Sequence, residues 1–166
     1  MKRLLLILAA IVALAALSLA SPLAAADRAG KTPLIIEMKG QGGPGGSGTF
    51  TLLGASTADS DRGTLTYQFS FGAVTKSLAG QSFTPNSGKI TLNGRHGRLV
   101  IRTSGRAFDS GDVPGYDQGY EAWTGTWSIV RGTGKYAGLK GSGGYVAVVL
   151  PDLHFSFQYE GFVTRS

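Results

Sequence analysis

The sequence predicts an all-β domain, an antiparallel β-barrel of about eight strands behind an N-terminal signal helix, on three observations. Apolar and polar residues alternate with a period of two from Pro33 onward, no long apolar stripe recurs at helical spacing, and 26 glycines among 166 residues break the pattern into runs of roughly even length. A helical bundle or a doubly wound α/β design is thereby excluded.

Residues 34–39 form the first expected strand and 48–53 the second. The run Gly40-Gln41-Gly42-Gly43-Pro44-Gly45-Gly46-Ser47-Gly48 between them reads as a mobile loop. The alternation is clearest over 63–71, where Leu65, Tyr67, Phe69 and Phe71 share one face and Thr64, Thr66, Gln68 and Ser70 the other. Residues 89–93 and 98–103 flank Gly94-Arg95-His96-Gly97, a hairpin turn in which Ile90 and Leu92 meet Leu99 and Ile101. Residues 108–120, rich in Asp and Gly, form a long irregular connection of the kind that tends to hold function. Strands are then expected over 121–130, 143–150 and 153–164. The last carries Leu153, Phe155, Phe157 and Tyr159 on one side, with Pro151-Asp152 as the turn before it. Eight such runs suffice to close an up-and-down barrel and remove the edges of an open sheet. A two-sheet sandwich has the same periodicity.

The N-terminus has a different character. Lys2 and Arg3 precede an apolar run over 4–19, Pro22 breaks the helix, and Ala24-Ala25-Ala26 supplies the small residues of a cleavage site before Asp27. Residues 1–26 are therefore expected to be a secretory signal peptide and 27–166 a single domain, secreted or periplasmic. An uncleaved anchor is the alternative, and contact with a membrane is expected through this segment alone. Without cysteine there is neither a disulfide nor a thiolate metal site, so a hydrophobic core must hold the domain by itself. The formal charge of +6 includes the two bases of the leader, and the remainder is scattered. Arg95, Arg98, Arg102 and Arg106 read as a solvated strand face, and no nucleic-acid partner is expected.

One segment resembles a known family. Trp123 and Trp127 lie on a strand that runs into Arg131-Gly132-Thr133-Gly134-Lys135-Tyr136-Ala137-Gly138, followed by the glycine-flanked strand from Gly143. This is similar to the Gly-Thr-Gly-Lys-aromatic loop of the allene oxide cyclase and dirigent β-barrel superfamily, with residues 121–163 carrying the likeness. The resemblance implies an eight-stranded antiparallel barrel, one short helical turn between neighbouring strands, an apolar cavity open at one end, and a dimer or trimer. Members cyclise an unstable epoxide or steer the coupling of phenoxy radicals, but their functional acids, arginines and asparagines have no residue-by-residue match here. The same letters fit a dinucleotide fingerprint only superficially, because no helix and second parallel strand follow, and Tyr136 occupies the Ser/Thr position of a phosphate loop. Residues 132–143 are read as a tight barrel corner.

Catalytic residues are not assigned. His96 falls in a turn, and His154 shares a strand face with Ser156, Gln158 and Glu160, opposite the aromatic set. Asp109, Asp112 and Asp117 match no calcium loop, so neither metal nor cofactor is predicted. A pocket, if present, would take its walls from Tyr67, Phe69, Trp123, Trp127, Phe155, Phe157 and Tyr159; the alternative is that these rings fill the barrel. Two functions follow. One is a non-catalytic binding or structural module for a small apolar or aromatic molecule. The other is a cofactor-free cyclase or isomerase, marked by an ionisable side chain such as Glu37, Glu121 or Arg102 turned into the cavity.

Overall fold

The computed structural model describes residues 30–54, 60–77, 80–109 and 119–165; the expected signal segment and residues 110–118 of the long connection lie outside them. The strands are β1 (Thr32–Gly42), β2 (Gly45–Leu53), β3 (Asp61–Phe71), the two-residue β4 (Thr75–Lys76), β5 (Ser82–Gly94), β6 (Gly97–Asp109), β7 (Glu121–Gly132), β8 (Leu139–Val149) and β9 (His154–Arg165). Every pairing is antiparallel. Apart from β4, which pairs alongside the start of β5, each strand pairs with its neighbours in sequence, and β9 returns to β1. Eight strands thus close into an up-and-down barrel, which leaves no unpaired edge in the main sheet.

Alternation decides which side chains enter. Leu65, Tyr67 and Phe69 of β3 are buried while Thr64, Thr66, Gln68 and Ser70 are exposed, and Ile90 and Leu92 pair across the hairpin with Ile101 and Leu99. Two residues depart from expectation. Phe71, on the inward face, is 42% exposed because β3 ends there, and Leu153 is in a turn with φ of +65° and is half exposed.

The glycine run at 40–48 is not a mobile loop. It is the tip of the β1–β2 hairpin, with Gly40 paired to Gly48 and Gly42 to Gly46, and only Gly43 and Pro44 left for the turn. Its backbone is tied on both flanks: Phe69 N–H donates to Pro44 O at 2.6 Å, and Gly42 N–H donates to Leu153 O at 3.2 Å. The absent side chains make room for aromatic rings from facing strands. A Cβ on Gly40 would sit 2.6 Å from Phe155 Cζ, and one on Gly46 would sit 2.7 Å from Tyr67 Oη. The same pairing recurs where Gly88 abuts Phe69, Gly125 abuts Tyr145 and Gly161 abuts Trp127. Large rings interleaved with bare backbone fill a barrel whose bore is set by its strand number.

Candidate functional site

The two ends of the barrel differ. At the end where β2 meets β3, β5 meets β6 and β7 meets β8, the interior is plugged by a hydrogen-bonded carboxylate. Asp61, the first residue of β3, is only 3% exposed and accepts hydrogen bonds from Tyr136 Oη at 2.6 Å, Arg62 N at 2.8 Å, His96 N at 3.0 Å and Arg95 N at 3.1 Å. Burial pushes its carboxyl up, but the Tyr136 hydroxyl and the three backbone N–H donors outweigh this and hold it down at about 2. Tyr136 arrives on a single 3-10 turn, Gly134–Tyr136, between β7 and β8. In that corner the N–H groups of Thr133, Lys135, Tyr136 and Ala137 all donate to protein carbonyls, so they form no cradle for phosphate.

The opposite end is recessed. A cavity of about 370 Å³ lies between the β1–β2 hairpin, the ends of β3 and β6, the start of β7 and the β8–β9 turn. Its walls include Tyr67, Phe69, Trp123, Phe155 and Phe157, with Phe71 and Leu153 at the rim and Ala107 and Val149 supplying smaller surface. The rings stand at steep angles. Phe69 and Trp123 meet edge to face at 5.1 Å, Trp123 and Phe157 at 5.4 Å, and Tyr67 and Phe155 at 5.1 Å. Among the described residues, the polar side chains on this surface are Glu121, Tyr67 and Thr84. Glu121, partly buried at the start of β7, accepts a hydrogen bond from Trp123 Nε1 at 2.7 Å. Tyr67 Oη is buried without a partner among the described residues, and burial raises its phenol above the usual value.

Five of the seven aromatic residues named from the sequence therefore meet at this recess. Trp127 and Tyr159 do not. They are 2% and 0% exposed and occupy the filled middle of the barrel, where Trp127 Nε1 donates to Glu160 O and Tyr159 stacks on Tyr145 at 4.9 Å. Of the three ionisable candidates, Glu121 lines the cavity, whereas Glu37 and Arg102 are on the outer surface. His96 is in the β5–β6 turn at the plugged end. His154 is on the outside of β9 with Nδ1 2.9 Å from Asp152 Oδ2. No group of three His, Asp or Glu residues capable of holding a metal ion occurs among the described residues. Sequence reasoning missed Asp61, although its place on the inward register of Leu65 and Tyr67 could have marked it. It also missed Ala107 and Val149, whose small apolar side chains carry no signal of their own.

Fold and site together define a class: a closed, eight-stranded, up-and-down barrel, plugged by a carboxylate at one end and holding a small-molecule-sized recess at the other. No protein-family model, no curated protein and no solved structure matches the chain. The barrel itself is the part of the expected likeness to allene oxide cyclase and dirigent proteins that the structure carries.

Proposed function

We propose that the protein is an exported, non-catalytic binding module that takes a small apolar or aromatic molecule into the recess. The carrying observation is the cavity itself. Its volume of about 370 Å³ falls within the range of small-molecule sites, and aromatic side chains dominate its walls. Export rests on the N-terminal sequence pattern of residues 1–26. The test is titration of the purified 27–166 domain with N-phenyl-1-naphthylamine, a neutral dye that brightens in apolar surroundings. Saturable binding is expected. Ala107→Phe, which fills the recess from its wall, should abolish it while the far-ultraviolet circular dichroism spectrum is unchanged. A wild-type domain that leaves the dye dark, or a folded Ala107→Phe variant that still binds, would overturn the reading.

Glu121 favours a second reading, a cofactor-free cyclase or isomerase of the allene oxide cyclase or dirigent type. A carboxylate on an apolar cavity wall is costly to desolvate and can assist proton transfer while the walls shape a reactive substrate. Turnover of a short-lived allene oxide into a ring of one handedness, lost in Glu121→Gln, would establish it. A racemic product from both proteins would rule it out.

A further inference from the structure

We infer that the recess selects an organic cation, an amine or quaternary ammonium carried on an apolar or aromatic body. This rests on the binding reading above and names its ligand class. Among the described residues that line the cavity there is no Lys, Arg or His, and Glu121 is the only carboxylate. That sign runs against the rest of the molecule. The chain carries 16 Lys and Arg against 10 Asp and Glu, and Arg98, Arg102 and Arg106 stand on the exposed face. A neutral hydrocarbon seated here would strip water from a carboxylate and give it nothing in return, and an anion would be repelled by it. A cation satisfies it.

The remaining walls favour the same occupant. Aromatic faces carry negative quadrupole charge and attract ammonium groups, and sites for quaternary ammonium are commonly built from several such rings. Here Phe69, Trp123 and Phe157 all line the cavity and stand nearly perpendicular in successive pairs, at 88° and 87°. Trp123, whose ring attracts cations best among the aromatic side chains, is held by the same carboxylate that supplies the charge. Carboxylate and indole thus form one unit, with a point charge beside a π surface.

The test uses two probes of one shape, phenyltrimethylammonium and tert-butylbenzene, which differ only by nitrogen for carbon at the branched centre. Each competes with N-phenyl-1-naphthylamine for the wild-type domain. The cation is expected to displace the dye at a concentration about tenfold lower than the hydrocarbon. Raising sodium chloride from about 50 to about 500 mM should weaken the cation and leave the hydrocarbon unchanged, a readout that needs no variant. Glu121→Gln keeps an oxygen acceptor for Trp123 Nε1 and removes the charge. It should erase the difference between the probes, each read against the dye affinity measured for that variant. Equal displacement by both probes, or a cation advantage that survives Glu121→Gln, would overturn the cation inference and leave the binding reading intact. Failure of the dye to bind wild-type protein would overturn both.

Discussion

Asp61 shows how one residue can be costly and stabilising together. A carboxylate 3% exposed loses most of its hydration, yet four donors converge on it from β3, the β5–β6 turn and the 3-10 turn. Charge-assisted bonds of this kind are the strong ones, and losing the charge leaves donors that were oriented toward it. Asp61→Asn is expected to destabilise the domain by on the order of 2 kcal/mol at neutral pH, as read from denaturant unfolding. The pH dependence has a definite sign. The folded carboxyl titrates at about 2, below its usual 3.8, so its stabilisation is complete above pH 4 and is lost as pH falls through 2. Melting temperatures of wild type and Asp61→Asn should accordingly converge between pH 4 and pH 2. A gap that persisted unchanged at pH 2 would show that the charge is not what stabilises. Gly94 belongs to the same site, because a Cβ there would sit 2.1 Å from Asp61 Oδ2.

At the scale of the element, the β7–β8 corner and the β8–β9 pair depend on glycine for two different reasons. Gly134 opens the 3-10 turn at φ of +61°, a conformation that L side chains rarely adopt, and a Cβ there would lie 2.3 Å from His96 O. Gly134→Ala should therefore lower stability by about 2 kcal/mol, and neither nucleotide nor phosphate should restore the melting temperature. Rescue by either would expose a binding loop in place of a corner. Gly141, in the same segment, has no positive φ, and its constraint is proximity: a Cβ would meet Phe162 O at 2.5 Å. Gly143 is tighter, with Glu160 O at 1.8 Å from its Cβ position. Backbone carbonyls do not move aside as side chains do. Gly143→Ala is expected to cost about 3 kcal/mol or to prevent pairing of β8 with β9, visible as lost amide protection in both strands.

For the whole molecule, the consequence of closure is a core that holds tyrosines neutral. Burial raises the phenols of Tyr67, Tyr136, Tyr145 and Tyr159, with Tyr145 pushed to about 12 and Tyr159, stacked on it, well above its ordinary value. Raised values mean that their stabilisation is complete below pH 10 and is lost as pH climbs above it. Absorbance at about 295 nm, where tyrosinate absorbs, should show Tyr136, Tyr145 and Tyr159 resisting ionisation until the barrel opens, with their release coinciding with loss of the β-sheet circular dichroism signal. Ionisation of all six tyrosines near pH 10 with the sheet intact would contradict a filled, closed interior.

Period-two alternation determined the fold class and most strand positions, because a strand with one buried face must write that face into every second residue, as Leu65, Tyr67 and Phe69 do. The Gly94–Gly97 turn and the Pro151-Asp152 turn were legible for a related reason, since local backbone geometry restricts which residues can occupy them. Composition could not show that the glycines at 40–48 are paired strand. Their conformation is set by partners, Tyr67 and Phe155, that are distant in sequence and take the space a side chain would need. The site divides in the same way. Aromatic identity could be read from the chain, but the separation of Phe69 and Trp123 at the recess from Trp127 and Tyr159 in the filled middle depends on depth along the barrel axis. Alternation says whether a side chain points inward, whereas only strand register and closure say at what level it arrives and what faces it there.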